Sequence, residues 1–470
     1  MLFPSVIFLF CFLPVMLLLN FGVCNYLVPE KYRVLTKNII LFVGSLVFYG
    51  YGEKWLTLLL VFSIVFNWLM GLLIHANRDK EAVKKLALAM CVLVNAGIFY
   101  VFKYMDFVSE NINKAFGLSI PYVNIVLPIG ISFFTFQAIS YVIDVYREKA
   151  EVQKNPFYVG LYIALFPQLI AGPIVRYETI ANQIKNRVES KDGFSKGVVR
   201  FITGLGKKIL LADTMAIFVD RIMYRIDVNL SVSVLMAWVA AIAYVFQIFF
   251  DFSSYSDMAI GLGKMFGFEF EENFNYPYIS KAVTEFWRRW HISLTTWFRD
   301  YVYIPLGGSR KGEVRALINL FIVWLFTGLW HGAGWTYIAW AMFYFALQML
   351  EKISGMNKKW KMPDWLGTIY FLITLVIGMS VFRASCMSSA FRHLKILVGI
   401  GSSGLVDEAS IFYLKDNWMF FAAAFLFSTP IGKRLEKHGI IHQILLGILL
   451  LVVIIYILKQ VYSPFIYFNF

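Results

Sequence analysis

Apolar residues form long runs along the chain, and these runs contain no Asp, Glu, Lys or Arg. A helix needs about 20 such residues to cross the hydrocarbon core of a bilayer. The long apolar runs and three shorter ones predict an all-helical, polytopic membrane protein. We expect roughly ten to twelve helical elements at membrane depth, some of them re-entrant. The long runs are Met1–Pro29, Trp55–Asn77, Ala115–Ile143, Pro156–Val175, Asn229–Phe250, Ala316–Leu350, Trp365–Phe382 and Gly439–Leu458; the shorter ones are Ile39–Tyr51, Leu86–Phe102 and Asn417–Gly432.

The run Ala316–Leu350 is too long for one straight span. As a single helix it would measure about 50 Å, against a hydrocarbon core of about 30 Å. Gly328, Gly332 and Gly334 cluster near its middle. Glycine permits close backbone approach or an unwound turn, so we predict that the helix breaks, tilts or folds back here.

The segment Phe274–Arg315 is too charged to cross lipid and too aromatic for an exposed loop. We predict a mixture of amphipathic helices and re-entrant backbone, with aromatic rings at headgroup level. No internal repeat, linker or soluble domain is apparent, so residues 1–470 are expected to form a single membrane-embedded domain.

Composition and charge support the membrane assignment. Hydrophobic residues make up 59% of the chain and charged residues 15%, with a mean hydropathy of +0.67. The net charge of +14 comes from Lys and Arg in short loops beside apolar runs. Cytoplasmic loops facing anionic lipid show this pattern, so we expect a lipid bilayer as partner, no nucleic acid, and a multi-pass location in the plasma or inner membrane.

His331 lies in the segment GLWHGAGW. The only other titratable side chains in its apolar run are Tyr337 and Tyr344. An ionisable residue at membrane depth is expensive, which makes it a candidate functional site. The alternative is a core histidine that donates to a neighbouring carbonyl. The flanking Gly332 and the adjacent Trp330 favour a substrate path, so both are candidate lining residues.

His291 lies in the segment FWRRWHISL. If this segment is helical, His291, Thr295 and Arg299 share one face and would line a polar funnel. An interfacial histidine beside Trp290 explains the pattern equally well. Arg289 is a candidate for contact with a phosphorylated donor, although lipid phosphate is the commoner partner of an interfacial arginine.

Asp251, Ser254 and Asp257 follow an apolar run in the segment FFDFSSYSDMAIGL. They would bind a polar substrate or orient a histidine; the equal alternative is a polar cluster at a helix end. His438 and His442 have the spacing of metal ligands but lack a third, so no metal site is predicted. Sequence signatures of serine hydrolases and P-loop nucleotide-binding proteins are missing.

These segments, taken in order, resemble the membrane-bound O-acyltransferase (MBOAT) family, and within it the membrane subunits of alginate O-acetyltransferase type. The resemblance covers essentially the whole chain. It is carried by VLPIGISFFTFQAISYVIDVYR, PQLIAGPIVRY, DFSSYSDMAIGLGKMFGF, the RRWHISL block and TGLWHGAGWTYIAW.

The resemblance implies a ring of tilted helices around a central tunnel, with His331 as the active-site histidine and His291 as the second one. It also implies an O-acyltransferase that passes an acyl group, most simply acetyl, from a cytoplasmic thioester to an extracytoplasmic polysaccharide. The donor would be acetyl-CoA or an acyl carrier protein, with no bound cofactor. The expected partner is an extracytoplasmic SGNH-hydrolase-like acetyltransferase subunit.

Several alternatives stay open. His331 would act either as a general base or as an acyl carrier. Backbone N–H groups around Gly332 and Gly334 would serve a developing oxyanion. The acyl group would be D-alanyl if the acceptor is teichoic acid. A protein without enzymatic activity that transports a lipid or glycan is the competing class, against which the lack of a detectable repeat argues.

Overall fold

The computed structural model describes residues 1–356, 363–431, 439–459 and 465. All regular elements in these ranges are helices. Seven helical segments there are long and apolar enough to cross a membrane. The prediction of an all-helical, polytopic membrane protein is therefore confirmed. The seven segments are Phe8–Leu27, Glu30–Ala76, Glu81–Phe116, Val234–Met265, Glu313–His331, Asp364–Arg383 and Ile440–Lys459.

The described residues fold as two compact units. The first consists mainly of Met1–Leu205 and Tyr255–Glu271. Its helices are α1 Leu13–Leu17, α2 Cys24–Leu27, α3 Glu30–Glu53, α4 Thr57–Ala76, α5 Glu81–Phe99, α6 Met105–Phe116, α7 Ile131–Tyr146, α8 Pro156–Ala164, α9 Tyr177–Asn186 and α10 Lys191–Gly206. Wider π-helical turns at Phe8–Phe12, Leu18–Val23 and Tyr100–Tyr104, and a 3₁₀ turn at Lys54–Leu56, interrupt or join them.

The second unit consists mainly of Gly206–Ser254 and Glu272–Tyr456. Its helices are α11 Asp213–Asp227, α12 Val234–Met265, α13 Val283–Arg289, α14 Ile292–Phe298, α15 Glu313–His331, α16 Trp335–Ile353, α17 Asp364–Arg383, α18 Met387–Leu397, α19 Glu408–Phe427 and α20 Ile440–Lys459. The last turns of α12 belong to the first unit. Shorter turns are the π-helical Lys207–Ala212 and Arg299–Tyr303 and the 3₁₀ Pro277–Ile279.

Two of the apolar runs are not continuous spans, and the expectation for them was wrong. In the run 115–143, helix α6 ends in a left-handed Gly117 with φ of 64°. The following residues up to Gly130 are not helical; they include Asn124 at a φ of 50° and Pro128. Hydropathy alone cannot register these backbone breaks, because glycine, asparagine and proline change conformation with little effect on apolar character.

The run 156–175 contains only the short helix α8, which ends at Ala164. The chain then turns tightly, since a Cβ atom at Gly172 would lie 2.5 Å from Cα of Gln168. Pro167 and Pro173 flank this turn. A helix of 9 residues cannot cross a bilayer, so this segment contributes buried, irregular backbone instead.

The long run 316–350 breaks and folds back, as predicted. Helix α15 ends at His331, α16 begins at Trp335, and Gly332 and Gly334 lie in the three-residue connection. The two helices are antiparallel: the indole N–H of Trp324 donates to Oε1 of Gln348 at 3.0 Å. A Cβ atom at Gly328 would lie 2.8 Å from Cβ of Ala341, so glycine allows the close approach of the two helices.

The segment 274–315 is broken into the short helices α13 and α14 and the two short turns, which agrees with the predicted mixture of helices and irregular backbone. Helix α13 is held at its start by a side chain from α16. The buried carboxylate of Glu351 accepts hydrogen bonds from the backbone N–H groups of Val283 (2.6 Å) and Thr284 (2.9 Å). A carboxylate at a helix N-terminus satisfies donors that have no partner within the helix.

Candidate active site

His331 is the last residue of α15, directly before the glycine-containing connection. Its side chain is buried and surrounded by aromatic rings. Ring centroids of Trp330, Trp340 and Phe382 lie 4.9, 5.0 and 5.3 Å from that of the imidazole, all nearly perpendicular to it. The helix break therefore presents one imidazole to an apolar, aromatic environment from which bulk water is excluded.

His291 lies between α13 and α14 and is also buried. Its backbone is left-handed, with φ of 46° and ψ of 53°. The Nδ1 atom lies 3.2 Å from Oδ1 of Asn273, and the ring packs edge-on against Phe252 at 4.6 Å. Burial lowers the pKa of His291 to about 3, so the imidazole is neutral at physiological pH.

The predicted helical face of His291, Thr295 and Arg299 is wrong. Helix α14 begins only at Ile292, and the left-handed backbone at His291 turns its side chain away from the helical repeat. His291 is buried, whereas the Arg299 side chain is 57% exposed. The i, i+4 spacing could not show this, because it assumes one continuous helix through the block.

Trp330 brings the two predicted histidines into one cluster. Its indole ring contacts His331, its neighbour in sequence, and also His291, with a centroid distance of 5.7 Å. Both imidazoles and the indole belong to the second unit. Two buried imidazoles against one indole, each at a break between helices, form the candidate site.

Three buried donors in the aromatic cluster around Trp340, whose ring contacts His331, were not predicted from the sequence. The indole N–H groups of Trp287 and Trp340 and the hydroxyl of Tyr344 have no hydrogen-bond partner among the described residues. The three rings pack against one another with centroids 5.1 to 5.6 Å apart. Leaving a buried donor unpaired costs about 1–3 kcal/mol, which is consistent with donors kept for a substrate oxygen.

Gly332 allows a close contact with the ring of Tyr337. A Cβ atom at this position would lie 2.2 Å from Cε2 of that ring, which no real Cβ could occupy without a shift. The N–H of Gly332 donates to the carbonyl of Gly328 at 3.4 Å. This N–H is therefore already engaged in the helix end, so the indole N–H of Trp340 is a better candidate for an oxyanion donor than the backbone of Gly332.

Asp251 lies inside α12 and takes part in a buried ion pair. The Nζ atom of Lys208 lies 2.5 Å from Oδ1 of Asp251 and 2.7 Å from Oδ1 of Asp213, and the ring of Phe465 packs on the same ammonium at 4.4 Å. Burial alone lowers the pKa of Lys208, but the two carboxylates outweigh it, and the pKa is raised. Asp251 thus neutralises a buried cation.

Ser254 and Asp257 also lie within α12, so the alternative of a polar cluster at a helix end is wrong for this segment. The hydroxyl of Ser254 donates to the carbonyl of Asp251 at 2.8 Å. The carboxylate of Asp257 belongs to the first unit and pairs there with Arg200, at 3.1 Å from Nε and 2.9 Å from Nη2. Both side chains are therefore engaged in contacts within the protein.

Arg289 and Trp290 lie at the C-terminal end of α13. The guanidinium of Arg289 pairs with Glu285 one turn earlier, at 2.9 Å, and donates to the carbonyl of Asn275 at 3.2 Å. Trp290 is buried against aromatic rings, including Phe274 at a centroid distance of 5.1 Å. The sequence also offered His438 and His442 as a pair with the spacing of metal ligands. His438 lies outside the described residues.

The fold and this cluster together define an all-helical, multi-pass membrane protein with a buried pair of imidazoles. The family model of the membrane-bound O-acyltransferases (MBOAT) matches residues 152–389, a range that includes both histidines. The chain belongs to this family, and it is an enzyme of the O-acyltransferase class.

Relatives with curated names agree with this assignment. A protein of Pseudomonas aeruginosa named probable alginate O-acetylase is 41% identical over 407 residues, which is 86% of this chain and 76% of the relative. A peptidoglycan O-acetyltransferase of Helicobacter pylori is 35% identical over 92% of this chain and 87% of its own length. A teichoic acid D-alanyltransferase of Bacillus subtilis is 28% identical over 53% of this chain and 66% of its own length.

Proposed function

We propose that this protein O-acetylates a cell-surface polysaccharide. In this proposal it takes an acetyl group from a cytoplasmic thioester, acetyl-CoA in the simplest case, and delivers it across the membrane toward a hydroxyl acceptor. Identity of about 40% to alginate O-acetylases over most of the chain supports acetyl as the acyl group. Alginate and peptidoglycan, the polymers in the names of the relatives, support a cell-surface polysaccharide as the acceptor.

The observation that carries the proposal is the pair of buried imidazoles against Trp330. Transfer from a thioester to a hydroxyl needs a base for the hydroxyl proton, donors for the oxyanion and a dry site that suppresses hydrolysis. His331, the buried indole N–H of Trp340 and the surrounding aromatic rings match these three needs.

The reaction we propose is a single displacement through a tetrahedral intermediate. His331 takes the proton from the acceptor hydroxyl, whose oxygen attacks the thioester carbonyl. The carbonyl oxygen carries the negative charge until the carbon–sulfur bond breaks. The thiolate then leaves with the proton from His331, which restores the neutral imidazole. His291 binds and orients the reacting groups beside it.

An extracytoplasmic SGNH-hydrolase-like subunit would complete delivery to the polymer, with the protein in the plasma or inner membrane. The tunnel-lining roles of Asp251, Ser254, Asp257, Arg289, Trp290, Trp330 and Gly332 stay predictions; of these, Trp330 has the strongest support because it contacts both imidazoles. D-alanyl transfer is the second candidate, since a D-alanyltransferase aligns with about half of the chain.

The test compares membranes that carry the wild-type chain, the His331→Ala chain or the His75→Ala chain. Each is supplied with acetyl-labelled coenzyme A, and in a parallel arm with D-alanyl-labelled carrier protein. His75 serves as the matched control because it lies on α4 of the first unit, outside the proposed site. The readout is label in cell-surface polysaccharide.

We expect acetyl label in the wild-type and His75→Ala membranes and a loss of at least 100-fold in His331→Ala, the order of magnitude that acid–base catalysis contributes. Equal label in all three would contradict the role of His331. Label only in the D-alanyl arm would contradict acetyl as the acyl group. Equal amounts of each variant in the membrane are verified by immunoblot.

A further inference from the structure

Asn273 holds the turn that carries His291. It is buried, and its side-chain oxygen accepts hydrogen bonds from the N–H of Ser293 at 3.1 Å and from the hydroxyl of Ser293 at 2.9 Å. Its backbone carbonyl accepts from the N–H of Ile292 at 3.0 Å. The same side-chain oxygen lies 3.2 Å from Nδ1 of His291. One residue thus fixes three consecutive positions of the left-handed turn.

These contacts determine which atom of the amide faces His291. A backbone N–H can only donate, so the Asn273 atom that faces the N–H of Ser293 must be the oxygen. An amide oxygen can only accept. The Nδ1 atom of His291 faces this same oxygen and must therefore carry a proton.

The surroundings of His291 keep the imidazole neutral. The groups packed against it include Phe252 from α12, Trp330 from α15 and the amide of Asn273, and the titratable side chain of His331 lies on the other side of Trp330. These three groups carry no charge, and burial lowers the pKa of His291, so the neutral imidazole is favoured. With a proton on Nδ1 and no net charge, the lone pair is on Nε2.

We infer that Asn273 is a positioning residue that fixes His291 as the Nδ1–H tautomer, so that Nε2 accepts a hydrogen bond from an O–H or N–H group of a bound substrate. No covalent step is required of His291; it orients a substrate while His331 takes the proton. This inference rests on the proposed function for the identity of the substrate. The tautomer itself does not depend on it.

The direct test is nuclear magnetic resonance of the full-length protein, labelled with ¹⁵N-histidine, in lipid nanodiscs. The chain has six histidines, so the His291 signals are identified as those lost in His291→Gln. We expect a protonated Nδ1 and an unprotonated Nε2, unchanged between pH 6 and 8. An Nε2–H tautomer or a mixture would overturn the inference. This readout needs no acyl transfer, so its failure is distinct from a failure of the proposed function.

Asn273→Asp provides the second test. A carboxylate keeps the acceptor oxygens for Ser293 but favours the imidazolium, because an opposite charge at this distance raises a histidine pKa by about 1–3 units. Protonated Nε2 cannot accept a hydrogen bond. Starting from about 3, this places the pKa of His291 at about 4–6 in the variant. We therefore expect acetyl transfer by Asn273→Asp to fall as the pH is lowered from 8 to 4, by roughly tenfold for each unit below the new pKa, relative to wild type at the same pH. A loss that is equal at every pH would show a structural role alone.

Ser293→Ala is the matched control for the substitutions of Asn273. It removes one hydrogen bond to Asn273 but leaves the contact between Asn273 and His291 in place. We expect Asn273→Ala to lower acetyl transfer by about 10- to 100-fold, the range known for loss of a partner that orients a metal-bound imidazole, and Ser293→Ala to lower it only slightly. Equal losses in the two variants would assign Asn273 to support of the turn and contradict its role in fixing the tautomer.

Discussion

Alanine substitutions at Gly332 and Gly334 should have opposite outcomes, although both glycines lie in the same three-residue connection. Both have extended backbone, with φ and ψ of 178° and 160° at Gly332 and −162° and 144° at Gly334, so alanine is conformationally allowed at either position. The difference is one of space. A Cβ atom at Gly334 would make ordinary contacts at 3.4 Å or more, whereas one at Gly332 would lie 2.2 and 2.5 Å from the ring of Tyr337.

The size of the effect follows from that overlap. Relieving it requires a movement of about 1 Å, and overpacking of a well-packed site costs about 1–3 kcal/mol. The ring of Tyr337 packs on Phe382 at 5.1 Å, and Phe382 packs on His331, so the displacement is passed on to the imidazole. A misplacement of about 1 Å lowers rates by roughly 100-fold. Gly334→Ala should instead be neutral or slightly stabilising, because alanine restricts the unfolded chain.

The assay measures the thermal midpoint of the purified protein in detergent by tryptophan fluorescence, together with acetyl transfer in membranes. We expect a lower midpoint and reduced transfer for Gly332→Ala and wild-type behaviour for Gly334→Ala. Tyr337→Ala added to Gly332→Ala should recover part of the lost stability, because the clash partner is gone. Indistinguishable behaviour of the two alanine variants would refute the argument.

Two further substitutions test other parts of the second unit. Trp340→Phe keeps the aromatic packing but removes the buried N–H, so we expect acetyl transfer to fall by about 100- to 1,000-fold with an unchanged thermal midpoint; normal transfer would exclude this N–H as the oxyanion donor. Lys208→Met leaves two buried carboxylates without their cation and should cost about 3–5 kcal/mol, whereas Asp251→Asn leaves Lys208 paired with Asp213 and should be milder. Yields of monodisperse protein in detergent measure this difference, and equal yields would contradict it.

Much of the architecture could be predicted from the sequence because lipid imposes a simple rule on composition. Apolar runs identified most of the long helices, and the excess length of 316–350 together with its glycines predicted the break before α16. The rule fails where the backbone changes direction without a change in polarity. The turns around Asn124 and Gly172 are examples, and both lie in runs that hydropathy treats as continuous.

The rule also fails where charge is neutralised by a partner distant in sequence. Asp251 directly follows the apolar run 229–250 in the sequence, yet α12 continues to Met265. The helix can pass through Asp251 because Lys208, 43 residues earlier in the chain, pairs with its carboxylate. No local pattern contains that pairing. For the same reason the sequence indicated His291 as a candidate but not Asn273. The two residues are 18 positions apart, and only the fold brings the Asn273 amide into contact with the imidazole.

Both candidate histidines lie at breaks in helical structure, and this placement has a physical cost that argues for function. A non-glycine residue in the left-handed conformation, such as His291, costs about 1–3 kcal/mol unless its surroundings stabilise it. Irregular backbone at membrane depth is tolerated only where protein surrounds it, because lipid cannot satisfy its polar groups. Asn273 supplies those hydrogen bonds at His291, and the packing of Tyr337 against Gly332 supports the break at His331. A chain that only had to span a bilayer would keep its helices continuous, so side chains committed to stabilising these two breaks favour a site built around the imidazoles.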